Sequence, residues 1–392
     1  MWYTSVLELQ LASLQCCIAC RAANTKFTVR VTEETPTHVW TSDLGPSTRV
    51  PVLRAAGLRW KLPSSALPRG GGAELMRGLV LLDLPFFDCA EDIVWPAGLR
   101  QLMVRIHGDG DLLAVCRRAP LPATIQRLTL VGFMAAPLTN LIWPSSLKQL
   151  TLLLNDGSEC GWPESVEELT IGGEFNEPIG GFEWPSSLRD LTFGDQFDQP
   201  LDGTVWPPSL LRLEFRGVFD QPVTGAAWPP CLRQLVLSSS FNHPIIGVVW
   251  PATLEKITFG GGFDQPIEGT LWPSSLRYLE FGDSFSQPVS GVDWPLSLGE
   301  LSFGCSFNQP IADVVWPASL VKLTFGLLFA QPIEAVAWPA SLRELTFGAM
   351  FRHKIGTSLA MLEKLNLGLS FGVEIDLPAS VTVTGCSIPI DA

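Results

Sequence analysis

The sequence is poor in charged residues and in the side chains that enzymes most often use for catalysis. Only 17% of its 392 residues are charged, and it has four histidines and two tyrosines. It contains no phosphate-binding loop and no dinucleotide-binding glycine fingerprint. No uncharged apolar stretch reaches the 18 residues typical of a transmembrane helix. These absences predict a folded protein that is not an enzyme and has no cofactor, metal site or membrane span.

The charge balance and the cysteines restrict the partners and the compartment. The net charge is -13 at pH 7, which disfavours a basic surface for nucleic acid and favours a neutral or basic protein partner. The nine cysteines show no disulfide spacing, and no Asn-x-Ser/Thr sequon occurs, as expected in a reducing, cytoplasmic setting. We therefore expect a monomer that binds another protein and binds neither nucleic acid nor membrane.

Glycine and proline are abundant, with 35 and 32 residues, and they mark a repeat. Trp-Pro recurs nine times between Trp162 and Trp338, always at an interval of 22 residues. With Trp as position 1, Leu dominates positions 5 and 8, and Phe occupies position 14 in all nine units. The unit reads W-P-x-S-L-x-x-L-x-F-G-x-x-F-[ND]-Q-P-[IV]. A fixed order at a fixed period is the signature of a repeat array.

The local pattern indicates how one unit folds. Positions 5 to 10 alternate apolar and polar residues, as in Leu191, Thr192 and Phe193, which predicts a short strand with its apolar side inward. Glycine at position 11 permits a sharp exit from the strand, and the prolines at positions 2 and 17 belong outside the sheet ladder. Stacked in parallel, the units bury continuous Leu and Phe columns. The predicted fold is mainly β, a right-handed parallel β-solenoid of leucine-rich-repeat type with 22-residue coils and a small N-terminal α+β cap.

The extent of the repeat predicts three segments. Residues 1–71 lack it and are expected to form the N-terminal cap, with an amphipathic helix between Ser5 and Ile18 and a strand around Val29. Residues 72–385 form the solenoid, which is regular over 162–359 and degenerate on both sides. Residues 386–392 form a C-terminal tail.

The units resemble a known family, the FNIP repeats, which are relatives of leucine-rich repeats. The residues that carry the match most fully are Phe307, Asn308, Gln309, Pro310, Ile311, Pro317, Ser319, Leu320, Leu323, Phe325 and Gly326. The resemblance covers about four fifths of the chain and implies a solenoid of the leucine-rich-repeat type. The chain departs from the family in having Trp-Pro where Leu-Pro is usual and Lys354 where proline is expected.

Position 7 lies on the outward side of the predicted strand, and its residues vary while the inward columns stay constant. Variable residues on a repeated scaffold are typical of partner recognition, although a merely solvated face would look the same. The candidate binding residues are Glu168, Asp190, Arg212, Gln234, Lys256, Tyr278, Glu300, Lys322 and Glu344.

Three alternative functions remain open from the sequence. Glu168, Asp190 and Glu214, near Arg212, could form a carboxylate cluster like that of carbohydrate-active β-helix enzymes, but a surface ion-pair ladder is the simpler interpretation. The threonines at position 9 could bind ice or another ordered surface, but ordinary β propensity also explains them. The third alternative is a purely architectural solenoid.

Two further columns have both a functional and a structural interpretation. Position 15 is Asn or Asp in six of the nine units, and these side chains could form a cation-binding rail. Such residues more commonly satisfy backbone amides in turns.

The tryptophans at position 1 could form an exposed strip for sugars or membranes. A strip of that size exceeds the apolar patches of most monomers, so we expect a buried or half-buried stack.

Overall fold

The computed structural model describes residues 28–31, 38–41, 58–61, 79–84, 95, 98–106, 120–132, 141–154, 161–368 and 375–385. They belong to two compact units, Met1–Phe175 and Asn176–Ala392. The predicted N-terminal helix and the C-terminal tail lie outside the described residues, and the cap stays a prediction. No helix in the described ranges has the length and apolar character needed to cross a membrane.

The first unit contains both antiparallel and parallel strands. Its strands are β1 (Thr28–Val31), β2 (His38–Thr41), β3 (Leu58–Lys61), β4 (Leu79–Leu84), β5 (Gln101–Ile106), β6 (Arg127–Gly132), β7 (Gln149–Leu154) and β8 (Glu168–Gly173). β1 pairs antiparallel with β2 and β3, whereas β3 to β8 pair in chain order and in parallel. The degenerate repeats that precede Trp162 therefore form the same kind of strand as the regular ones.

The second unit is a parallel β-solenoid. Its strands are β9 (Asp190–Phe193), β10 (Arg212–Phe215), β11 (Gln234–Val236), β12 (Lys256–Thr258), β13 (Tyr278–Glu280), β14 (Glu300–Ser302), β15 (Lys322–Thr324), β16 (Glu344–Thr346), β17 (Lys364–Asn366) and β18 (Thr382–Thr384). Neighbours pair in parallel with their first residues aligned. A 3-10 helix, Thr357–Leu359, precedes β17. The predicted 22-residue coil is confirmed, and the predicted right-handedness stays a prediction.

Three tight turns bend most of the regular coils back on themselves. Backbone N–H groups at positions 5, 14 and 21 donate to the carbonyls at positions 2, 11 and 18, at 3.1, 3.4 and 3.2 Å in the coil that begins at Trp184. The proline at position 2 supplies only a carbonyl to its turn, so its missing N–H costs nothing there.

The core is built from aromatic rings that stack from coil to coil. Phe263 has no solvent-exposed surface, and its ring centroid lies 6.0 Å from those of Phe241 and Phe285 in the adjacent coils. Within its own coil it packs on Phe259 at 4.2 Å. Because most partners of each ring belong to neighbouring coils, a single coil has almost no core of its own.

The tryptophan column is mixed in its burial. Trp206, Trp250, Trp294 and Trp316 are only 6 to 7% exposed, whereas the other tryptophans of the second unit are half-buried. Stacked pairs recur, such as Trp228 on Trp250 at 5.9 Å. The expected buried or half-buried stack is therefore present.

The glycines at position 11 are required by the close approach of the coils. A Cβ on Gly282 would collide with the backbone carbonyl of Gly260, one coil earlier. Gly282 does not have a positive φ, so its missing side chain, rather than its backbone freedom, accounts for glycine here. Two coils have another residue at this position. In one, Arg216 is followed by Gly217, which makes the close approach to Asp195 instead; in the other, Ser238 is buried and its hydroxyl donates to the carbonyl of Phe219.

Gly282→Ala is expected to destabilise the second unit strongly, because the new methyl group must push two backbones apart. We expect a loss at or above the upper end of the about 1–3 kcal/mol typical of overpacking. The control is Gly261→Ala, because a Cβ there meets no atom within 4 Å. Urea unfolding of both variants is the measurement, and equal stabilities would contradict the close contact.

Candidate functional site

The Asn and Asp side chains at position 15 form a hydrogen-bonded ladder between coils. Asp198 Oδ1 accepts the backbone N–H of Asp220 at 2.8 Å and the side-chain amide of Gln221 at 2.9 Å. Asn242 makes the same two kinds of bond to the coil that follows it. Each acceptor oxygen is thus used by backbone and amide donors, which supports the structural interpretation of this column over a cation rail.

The histidines of the second unit belong to this ladder. They occupy position 16, where glutamine is usual, and the ring Nε2 of His243 donates to the carbonyl of Asp220 at 2.8 Å. His353 makes the equivalent bond to the carbonyl of Ala330 at 2.9 Å. Both rings therefore replace a glutamine amide in holding one coil to the one before.

A second ladder, at position 4, is not apparent from the sequence pattern alone. The hydroxyl of Ser275 donates to the carbonyl of Leu254 in the preceding coil at 2.7 Å, and Ser297 donates to Leu276 at 2.6 Å. Thr253 replaces serine and keeps the bond. The serine in the W-P-x-S-L motif thus links coils rather than forming a site.

The nine candidate residues at position 7 all begin strands. Glu168 starts β8 in the first unit, and the other eight start β9 to β16 in the second. None of the nine is buried. Within the second unit the strand register places each of the eight beside its counterpart in the next coil. We call these eight residues, with the position 9 residues of the same strands, the strand face.

One end of the strand face holds a compact ion-pair cluster. Glu214 Oε2 lies 2.6 Å from Arg212 Nη2, and its Oε1 lies 2.7 Å from Arg216 Nε. Burial opposes the ionisation of Glu214, but the hydrogen bonds and positive charges of Arg216 and Arg212 outweigh it and hold its pKa below the ordinary value. A carboxylate held ionised in this way is poorly suited to act as a general acid.

A cavity of about 210 Å³ opens on the middle of the strand face. Its lining comes from four consecutive strands, β12 to β15, and includes Lys256, Tyr278, Leu279, Glu280, Glu300, Leu301, Ser302, Lys322 and Thr324. Four of these are candidate residues from the position 7 column. Glu280 and the position 9 hydroxyls were not among the predicted site residues, because a single strand pattern does not show which side chains meet across coils.

Little catalytic chemistry is available in the part of the chain that the structure describes. No three His, Cys, Asp or Glu side chains there lie close enough together to hold a metal ion. The thiol of Cys305 is exposed, but hydrogen bonding to Asp283 raises its pKa, which lowers the fraction of reactive thiolate.

A row of exposed apolar side chains was not predicted from the sequence. At position 22, just before the tryptophan, Val205, Val249, Leu271 and Val315 are 76 to 83% exposed. They lie 44, 22 and 44 residues apart, so they share one edge of the coils, with Ala227 and Asp293 at the same position in the coils between them. None of the residues that the structure describes covers this row.

The stacked strands, aromatic columns and side-chain ladders define the protein as a parallel β-solenoid built from repeats. A family model described as FNIP Repeat matches residues 183–217, 263–306 and 307–350. The chain therefore contains FNIP repeats, which confirms the resemblance carried by the segment from Phe307 to Gly326.

Two solved structures that are similar to this chain are a circular leucine-rich-repeat protein and an internalin. The circular leucine-rich-repeat protein CroV588 is 26% identical with a TM-score of 0.49, over 80% of this chain and 57% of that chain. An internalin from Listeria monocytogenes is 12% identical with a TM-score of 0.41, over 81% of this chain and 88% of that one. The chain thus matches little more than half the length of CroV588. No curated protein matches it.

The position 15 ladder predicts that stability depends on the presence of an acceptor oxygen and not on its negative charge. Asp198→Ala should cost about 1 kcal/mol, because the half-buried donors of the next coil lose their partner. Asp198→Asn should stay within about 0.5 kcal/mol of wild type, since Asn242 performs the same role. Urea unfolding distinguishes them, and an Asn variant as unstable as the Ala variant would favour the cation rail.

The ion-pair cluster predicts a pH-dependent contribution from Glu214. Because the folded-state pKa is lowered, this contribution is complete above the unfolded-state pKa and disappears as pH falls through the folded-state pKa. Glu214→Gln should therefore be less stable than wild type at neutral pH, with the difference closing in acid. The exposed Glu183→Gln is the control. Denaturant unfolding across the pH range is the measurement, and a difference that does not change with pH would contradict the cluster.

Proposed function

We infer that this protein is a non-enzymatic scaffold whose strand face binds another protein. The observation that carries this function is the cavity of about 210 Å³ on the strand face, at the column of variable residues. The polar columns at positions 4, 15 and 16 are occupied by hydrogen bonds between coils. On the strand face, by contrast, the polar side chains vary and stay accessible.

The dimensions of the strand face favour a macromolecular partner. From β9 to β16 seven strand spacings of about 4.8 Å give a length of about 34 Å. A row of this length is longer than a small-molecule ligand, so a macromolecule is the kind of partner that could contact all of it. The acidic balance of the chain favours a partner with a neutral or basic surface, with association that weakens as salt is added.

The carbohydrate-active alternative has less support. It needs a carboxyl group that can hold a proton at neutral pH, whereas the arginines keep Glu214 ionised.

The ice-binding alternative depends on the threonines at position 9. This column is not an uninterrupted threonine ladder, since Glu214, Val236 and Glu280 interrupt it. No observation favours ice binding or a purely architectural role over partner binding.

The test removes three side chains of the strand face together: Arg212→Ala, Tyr278→Ala and Lys322→Ala. The triple variant should fold normally and lose at least tenfold in the recovery of bound proteins from an extract of the source cells. A matched control combines Arg352→Ala, Lys354→Ala and Leu296→Ala. It removes two cations and one exposed apolar residue outside the strand face.

The comparison uses quantitative mass spectrometry of proteins captured by wild type, triple variant and control, with circular dichroism to verify folding. Loss with the triple variant and retention with the control supports the strand face. Equal capture by all three proteins would rule it out as the binding surface.

A further inference from the structure

The cavity on the strand face has an uneven chemical character. Tyr278 begins β13 and is 42% exposed, and Glu280 follows it on the same side of the strand. Glu300 is the register partner of Tyr278 in β14. The aromatic residue thus has one acidic neighbour along its own strand and another in the next strand, in a group that we call the Tyr278 cleft. Its volume of about 210 Å³ is below the range of drug-sized ligand pockets, and it suits a single side chain.

The charges around the cleft are only partly neutralised. Lys322 Nζ lies 3.8 Å from Glu300 Oε2. Glu280 accepts a long hydrogen bond, 3.4 Å, from the hydroxyl of Thr258, and no cation pairs with it among the residues that the structure describes. Lys256, on the opposite wall, likewise has no ion pair within those residues. The cleft therefore presents one free carboxylate, one shared carboxylate and one free ammonium group.

The wider electrostatic environment favours a cation over an anion. Residues 251–300 carry seven acidic and two basic residues, a net charge of -5. The face of a tyrosine ring attracts cations through its quadrupole. It provides no such attraction for a ligand that carries a carboxylate. Two ammonium groups in the lining oppose a cation. The charge of Lys322 is offset by Glu300, and the long flexible stem of Lys256 allows its ammonium group to turn towards water.

We propose that the Tyr278 cleft binds an arginine side chain from a basic segment of the protein partner. The planar guanidinium lies against the Tyr278 ring and donates hydrogen bonds to Glu280 and Glu300. Arginine fits better than lysine because its flat, forked group can stack and form two carboxylate hydrogen bonds at once. This assignment rests on the proposed function, since it names the chemistry that the strand face recognises.

The sequence offers a clean spectroscopic probe of the cleft. Tyr3 and Tyr278 are the two tyrosines of the chain, so the full-length protein with Tyr3→Phe and 3-fluorotyrosine has a single ¹⁹F signal, from Tyr278. The ligands are four short, otherwise identical peptides with arginine, lysine, citrulline or glutamate at the central position. Citrulline keeps the shape of arginine but not its charge.

The arginine peptide should shift the ¹⁹F signal saturably, the lysine peptide should bind at least threefold more weakly, and the other two should cause no shift. Glu280→Gln should raise the Kd for the arginine peptide at least fivefold. The matched control is Glu268→Gln, an exposed glutamate outside the cleft, which removes the same charge and should leave the Kd unchanged. Equal weakening by both variants would indicate that the overall negative charge of the protein attracts the peptide, and it would overturn the assignment.

Two other results would also overturn the arginine assignment. The first is a saturable shift with the glutamate peptide that Lys256→Gln abolishes, which would identify the cleft as an acid-binding site. The second is the absence of a shift with any peptide. Neither result would contradict partner binding by the strand face, which the capture experiment with the triple variant tests. The arginine assignment and the proposed function can therefore fail separately.

Discussion

Parallel pairing in register is the constraint on which the other features of the second unit depend. Because first residues align from β9 to β18, each residue of a regular coil lies beside its counterpart 22 residues earlier. The strand spacing of about 4.8 Å then limits what each column can hold. Phe263 finds a ring on either side of it, and Gly282 is held so close to the preceding backbone that no side chain fits. A residue that suits one coil suits the next, which explains why the same side chains recur.

This constraint separates the coil into positions that hold the structure together and positions that do not. The inward columns supply apolar packing, and the columns at positions 4, 15 and 16 satisfy the polar groups of neighbouring coils. Asp198 and Asn242 are interchangeable in this role because both provide one acceptor oxygen to the same backbone donor. The strand face supplies neither the apolar core nor these hydrogen-bonded columns. Its side chains can differ from coil to coil at little cost to stability, and the proposed partner binding depends on this variation.

The charge pattern of the strand face is itself uneven. From Glu300 to Lys364 the position 7 column alternates acidic and basic residues, so neighbouring coils offer opposite charges to each other. At the other end Glu214 is held between two arginines. The Tyr278 cleft lies between these regions. There an aromatic ring interrupts the alternation and leaves Glu280 without a cation among the described residues, so the middle of the face has the most capacity to bind a new group.

The sequence by itself determined the architecture, because the 22-residue period states which residues must stack and the alternation around Leu191 states which side faces inward. It also predicted that position 7 faces outward, and it favoured backbone donors over cations as the partners of the Asn and Asp column. Only the tertiary structure decided why glycine occupies position 11, that Ser275 bonds to the preceding coil, and that Tyr278, Glu280 and Glu300 share one cleft. These contacts join residues on different coils, and their existence depends on the distance between backbones. A local pattern records the order of side chains along the chain but not that distance.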